Sequence, residues 1–314
     1  MISRTRQYLP LIANIVAAVI FGFAMLFIKT GIQVVEFDSV KFLAFRFTIG
    51  FLVLTILLIT GFQKVDYKDK PVYMLLLCGC LNPLTSQFLE TTAVAHAPTS
   101  QIALFFNLIP ILVVLFSIPI NREIPTGRQV FFMIVSISGL LSINLIGGQM
   151  EGGSTVGIIL ILGAVFAISV NRVFIRRASA RFTAFETIYI TTGIGALGFS
   201  SATLFNHAAQ GRLNSFFDGL WTPYFIIPIL YMGIISTVLA FLCFTYAMGR
   251  LPIAVSSSTG MLASVISVFV GIFILNETFR LIDVIGATIT FLGVLGMSQS
   301  YNASLSNRFK TRNK

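Results

Sequence analysis

The sequence predicts an all-α integral membrane protein, ten transmembrane helices arranged as two inverted five-helix repeats. Three observations carry that reading. The chain of 314 residues is 56% hydrophobic and only 10% charged, where a soluble domain has roughly a quarter of its residues charged. Apolar runs of about 20 residues, the length that crosses a hydrocarbon layer as a helix, recur from end to end with short polar breaks. The C-terminal half also repeats the N-terminal half without a gap at a shift of 154, so that Thr91, Ala93, Pro98, Glu123 and Gly139 recur as Thr245, Ala247, Pro252, Glu277 and Gly293. Aliphatic matches at this shift, such as Leu108/Leu262, carry little weight in so apolar a chain. Proline and acidic residues are scarce, 10 and 11 in 314, and the pairs Pro98/Pro252 and Glu123/Glu277 therefore decide for duplication. Five spans per repeat is an odd number, which turns the second copy upside down in the bilayer, the arrangement used by alternating-access carriers.

In chain order, the first repeat (residues 1–148) is predicted to cross at 9–30, 39–60, 72–94, 99–120 and 128–146. The second (149–314) is predicted to cross at 155–176, 183–205, 224–247, 254–275 and 281–300. Span 1 follows Arg4 and Arg6. It is longer than a signal-peptide core and lacks a small-x-small cleavage site, and is read as an uncleaved helix. Span 2 carries Arg46 about two turns from its start, and span 3 is the most polar, with Asn82, Pro83, Thr85, Ser86, Gln87 and Glu90. Span 4 has Asn107 beside Pro110. The Gly-rich stretch from Gly147 to Gly153 is the joint between the halves. Span 6 ends in an Arg-rich segment, span 7 begins near Glu186, and the long break before span 8 closes with Trp221, a residue typical of the membrane interface. Span 8 has Phe241 and Phe244 where span 3 has Gln87 and Glu90. Span 9 shows a stripe of small residues, Ser257, Gly260, Ser264, Ser267 and Gly271, which lets helix backbones approach closely.

Net charge +10 could suggest nucleic acid, but its distribution points to membrane topology. With a cytoplasmic N-terminus, sixteen of the 21 Lys and Arg residues fall at cytoplasmic ends, Arg172 and Arg176 among them. Lys29, Lys41, Arg212 and Arg280 fall outside, and Arg46 lies within a span. This positive-inside bias puts both termini in the cytoplasm. The Arg-rich segments lack interleaved stacking aromatics, which excludes a nucleic-acid partner. Cys78, Cys80 and Cys243 lie in apolar spans, and their odd number argues against a disulfide framework. His96 and His207 have no neighbours at metal-ligand spacing, and there is no P-loop or Gly-x-Ser-x-Gly elbow. The chain is accordingly expected to be no enzyme and to need no metal or cofactor.

The chemistry is expected where polar groups interrupt the spans, since a charge at mid-helix costs about 2.5–3.5 kcal/mol and must face protein or water. Arg46 and Glu90 lie at comparable depths. Arg46 is a candidate to bind an anionic substrate group such as a carboxylate, with Glu90 as its partner or as the protonatable coupling residue; a permanent ion pair that only fixes the helices is the alternative. Asn82, Ser86 and Glu90 stand at helical spacing, and Pro83 frees the carbonyl of Gly79 as Pro110 frees that of Phe106. The candidate substrate-binding set is Arg46, Asn82, Gln87, Glu90 and Asn107, weighed against interhelical hydrogen bonding. Glu186 is expected to pair with Arg181 or Arg177. Glu123 and Glu277 are expected to sit in structural turns and stabilise the N-termini of the helices that follow.

The run Ile274-Leu275-Asn276-Glu277-Thr278-Phe279 followed by Gly286 and Gly293, its counterpart Asn121-Arg122-Glu123 followed by Gly139, and Ala44-Phe45-Arg46-Phe47 resemble the EamA-type branch of the drug/metabolite transporter superfamily. The resemblance implies a ten-helix carrier, often an exporter of amino acids or other small metabolites, driven by a proton gradient or by exchange. It further implies a small-molecule substrate, protons as a candidate partner, and a bacterial cytoplasmic membrane. An uptake permease of the same fold and a lipid-handling protein are the alternatives. The chain departs from a symmetric pattern: the second half has no arginine matching Arg46, and the polar equipment of span 3 is missing from span 8.

Overall fold

The computed structural model describes residues 2–36, 38–121, 126–145, 154–211, 221–251, 253–277, 280–282, 284–293 and 295–296. Glu123, Pro252 and the joint between the halves expected at 147–153 lie outside the described residues, as do the Ser257 side chain and the surroundings of Gly260. The described residues hold ten helical segments and no strand. They are α1 (Ile2–Val34), α2 (Ser39–Ile59), α3 (73–94), α4 (Thr99–Ile120), α5 (Gly127–Leu145), α6 (Thr155–Ala178), α7 (Ala184–Ala209), α8 (Pro223–Met248), α9 (Ile253–Phe273) and α10 (Val284–Gly293). Six of them, α1, α2, α4, α6, α7 and α8, are long and apolar enough to cross a membrane.

Helix starts follow their capping residues. The Asp38 carboxylate accepts the Lys41 amide at 2.9 Å to open α2, and Ser154 Oγ accepts the Gly157 amide at 3.1 Å to open α6. Thr183 and Glu186 form a reciprocal capping box at the start of α7, satisfying two amides the helix cannot bond internally.

Three helices depart from α geometry, all around the middle of the bundle. In α3, Cys80–Thr85 is a wide π-turn and Asn82 leaves helical geometry at φ −146°, ψ 113°, next to the ring of Pro83 that removes one backbone donor. In α4, Phe106–Leu108 tightens to a 3₁₀ turn just before Pro110. In α8, Tyr231–Ala240 is again a wide π-turn, although no proline falls inside it. Shifted by 154, positions 80–85 become 234–239, so the two π-turns occupy equivalent places in the repeat.

Helices of the two halves interleave. α2 packs on α7, α1 on α8 and α9, and α6 on α3 and α4. The contact between α5 and α10 is reciprocal. A Cβ on Gly139 would lie 2.6 Å from the Thr290 amide nitrogen, and a Cβ on Gly293 would lie 2.5 Å from that of Ser136. Ser136 and Thr290, like the two glycines, stand 154 apart. Exchanging the halves thus maps the contact onto itself, as a two-fold axis does, and only glycine permits backbones this close. Outward faces are apolar: Phe131, Ile134, Leu197 and Phe205 are each at least 60% exposed, the reverse of a water-soluble bundle.

Candidate functional site

A cavity of about 120 Å³ lies between the halves. A single water needs about 10–15 Å³ on this measure, so the space suits a small solute. The helix irregularities shape it: the broken turn of α3 supplies Asn82, and the tightened turn of α4 presents Phe106, Ile109 and Pro110 to the lining.

Arg46 of α2 is 2% exposed and forms the polar centre. Its Nε donates to Thr237 Oγ1 at 3.0 Å, in the wide turn of α8, and its Nη1 donates to Gln87 Oε1 at 2.6 Å. Gln87 Nε2 in turn donates to Glu90 Oε2 at 2.8 Å. Arg46 and Glu90 are therefore joined through the Gln87 amide, and the relay ties α2, α3 and α8 together. A carboxamide suits this place because it accepts from a guanidinium with one end and donates to a carboxylate with the other.

Four of the five residues singled out in the sequence, Arg46, Asn82, Gln87 and Glu90, border the cavity. Asn107 does not. It is 5% exposed and its Oδ1 has no protein partner, while its neighbours Phe106 and Ile109 do border the cavity. Ser86, between Asn82 and Glu90 in the expected stripe, is fully buried outside the lining; Gln87, the next residue, faces the cavity with Glu90 instead.

The second half contributes residues that sequence reasoning passed over. Arg172, a cytoplasmic-end charge by its sequence position, lies six residues inside the end of α6 and lines the cavity, its guanidinium 5.0 Å from the centroid of the Phe244 ring. Asn171, Ser236 and Phe241 join it, and Asn14 of α1 faces the same space with its amide donating to the Ser256 carbonyl at 3.1 Å. The signal was the pair Asn171-Arg172 within an apolar run that Arg176 and Arg177 already terminate. Ser267 and Gly271 of the small-residue stripe pack closely: Ser267 Oγ donates to the Gly22 carbonyl at 2.8 Å, and a Cβ at Gly271 would fall 3.2 Å from Thr99 Oγ1.

Polar contacts fasten both ends of the bundle. At one end the Glu277 carboxylate accepts from Lys29 Nζ at 2.7 Å, the Thr99 amide and hydroxyl at 2.8 Å each, and the Ser100 amide at 2.9 Å. It thus stabilises the N-terminus of α4, in the other half, rather than that of the helix following it. Burial alone would raise this carboxyl, but the Lys29 ammonium and the Ser100 and Thr99 donors outweigh it and bring the pKa down to about 2. At the opposite end Glu186 pairs with Lys70, at 2.8 and 3.0 Å, and not with Arg181 or Arg177. Its other contacts are the amides of Asp66 and Thr183. Among the described residues no group of three or more His, Cys, Asp or Glu side chains could hold a metal ion.

A helical protein whose outward faces are apolar, and which encloses between two interleaved halves a cavity lined by Arg46, Glu90, Arg172 and several uncharged polar side chains, is a multi-pass membrane protein built to hold a small molecule. The model of the EamA-like transporter family matches residues 9–145 and again 155–299. The chain belongs to that family, and it is a transporter rather than an enzyme. It is 28% identical to an uncharacterized transporter of Bacillus subtilis, YcxC, over 91% of each chain. It is 22% identical to a probable terminal-alkyne amino-acid exporter of Streptantibioticus cattleyicolor, over 75% of each chain. A solved crystal structure shares the fold with a TM-score of 0.59, covering 93% of this chain and 98% of that one at 18% identity.

Proposed function

We propose that the protein is a secondary transporter that exports a small amino-acid-like metabolite by alternating access, with Arg46, Asn82, Gln87, Glu90 and the second-half lining forming its central site and Asn107 supporting the α4 turn beside it. The observation that carries this reading is the cavity itself: it lies between the halves, and its polar centre bonds α2 and α3 to α8 through Arg46. A site built from both halves changes whenever they rock against each other.

Ten spans in two inverted repeats, divided near residue 148, are supported by the paired π-turns, the reciprocal glycine contact and the two tandem family matches. The amino-acid-like substrate and outward direction rest on the Streptantibioticus relative named as an amino-acid exporter. Coupling is to protons or to a counter-solute, with Glu90 as the group that gains and loses the proton. Both termini are assigned to the cytoplasm of a bacterium, an orientation that the positive-inside bias supports.

The test is uptake and counterflow in vesicles reconstituted with purified protein, against a panel of amino acids and small metabolites, with and without a pH gradient. Saturable movement lost in Arg46→Ala supports the reading. Movement of every panel member at the rate of empty vesicles overturns it.

A further inference from the structure

Two guanidinium groups line the cavity, and their situations differ. Arg46 is occupied: Thr237 and Gln87 take two of its donors, and Glu90 balances its charge across one amide. Arg172 is not. Its Nε is buried without a protein partner, and the guanidinium lies over the ring of Phe244. Of the other residues that line the cavity, Asn171 Oδ1 and Ser236 Oγ are also buried without partners. Among the lining residues the formal charges are Arg46, Arg172 and Glu90, so one positive charge stands uncompensated. An unpaired charge away from water is costly, and an anion entering the cavity removes that cost.

We propose that Arg172, lying over the Phe244 ring, is the carboxylate anchor of the cavity, and that the solute carried is a small monocarboxylate with an apolar body. This rests on the reading of the cavity as the transport site, and it moves the anion-binding role from Arg46 to the opposite half. Three features define the class. The Arg172 guanidinium lies over the Phe244 ring with no protein acceptor on its Nε, and a guanidinium carries the planar fork that matches a carboxylate with two parallel bonds. Only one cation lacks a counter-charge, which fits a monoanion better than a phosphate monoester carrying nearly two charges. The rest of the wall is apolar, with Phe21, Phe241, Met25 and Met232 around the polar groups, and these suit an aliphatic or aromatic body. Asn171 and Ser236 of the same lining supply the polar groups available to a second polar substituent.

The experiment is equilibrium binding of radiolabelled phenylacetate to the purified full-length protein, competed with L-phenylalanine, phenylacetamide or phenethylamine. Phenylacetate is expected to bind saturably, with the amide and the amine competing at least tenfold less well. Competition by L-phenylalanine as strong as by phenylacetate itself places an α-ammonium within the accepted class; weaker competition restricts the class to acids without one, and either supports the carboxylate anchor. Arg172→Gln is expected to weaken binding roughly 10- to 100-fold, the loss of a hydrogen-bonded charge. Should that variant fail to fold, Arg172→Lys keeps the charge without the fork and is expected to bind the acid several-fold more weakly. Arg181→Gln, at an exposed position, is expected to bind as the unchanged protein does. Equal competition by acid, amide and amine, the absence of phenylacetate binding, or binding unaffected by either Arg172 substitution overturns the proposal. If the vesicles move amines or neutral solutes while phenylacetate does not bind, this assignment falls and the transporter reading stands. If phenylacetate binds through Arg172 and no solute moves, the transport reading of the cavity falls and the anchor stands.

Discussion

Lys29 Nζ and Glu277 Oε1 lie 2.7 Å apart across 248 residues of chain. The pair joins α1 of the first half to the segment after α9 of the second, and the same carboxylate holds the first two amides of α4. Three helices from both halves thus converge on one anion at one end of the bundle. On the alternating-access reading proposed above, such a contact would act as a latch, made while that end is closed and broken when it opens.

Glu277→Gln should loosen it. The amide keeps the shape but loses the charge, and charge-assisted bonds at a partly exposed site are worth about 1–2 kcal/mol. The population open at that end should rise roughly 5- to 30-fold by the same figure. A cysteine at Met25, in the cavity wall, reports this as faster reaction with a membrane-impermeant maleimide. An unchanged rate would show that other contacts hold that end shut.

The latch should be indifferent to moderate acid. The Glu277 pKa is depressed to about 2, so its stabilisation is complete above the ordinary carboxylate value and is lost only as pH falls towards 2. Maleimide accessibility at Met25→Cys, normalised to an exposed cysteine, should stay constant from about pH 8 to about pH 5. A change within that window would have to come from another group, and Glu277→Gln would leave it in place.

The Arg46–Gln87–Glu90 relay should behave as one unit. Arg46→Ala, Gln87→Ala and Glu90→Gln are each expected to lower transport at least tenfold at normal expression, with the Arg46→Ala/Glu90→Gln double variant no worse than either single one. Removing Arg46 alone strands a buried carboxylate and should cost about 3–5 kcal/mol of stability. Neutralising Glu90 as well should recover part of that loss. Thermal unfolding in detergent and vesicle transport measure the two effects separately.

The reciprocal glycines should be equally intolerant. Gly139→Val and Gly293→Val each push a side chain into backbone of the facing helix, and overpacking of this kind costs about 1–3 kcal/mol. Similar falls in melting temperature for both are the expected result. A large effect at one and none at the other would break the symmetry of the α5–α10 contact.

What could be read from the sequence follows how local the cause is. The break in α3 was legible because Pro83 writes it into the chain, whereas the matching π-turn of α8 contains no proline. That turn is where α8 meets α1 and α2 and where Thr237 receives Arg46, and partners 191 residues apart leave no local mark. Arg46, Asn82, Gln87 and Glu90 stood out as polar groups in apolar runs. Arg172 was hidden by the arginines that follow it, since a charge near a basic helix end reads as topology. Glu186 had a readable capping box with Thr183, but its Lys70 partner comes from a loop 116 residues earlier. Glu277 was recognisable from its repeat, although its role required the distant helix start that it caps.

The central claim is that one cavity between the halves opens in turn to each side of the membrane. A single cysteine at Ser236, in a protein with Cys78, Cys80 and Cys243 replaced, tests it in sealed vesicles of known orientation with impermeant maleimide applied to one side or the other. The account predicts labelling from both sides, slowed by transported solute, with the balance shifted towards the Lys29 end by Glu277→Gln. Labelling from one side only, whatever the solute and whether or not Glu277 is intact, would contradict it.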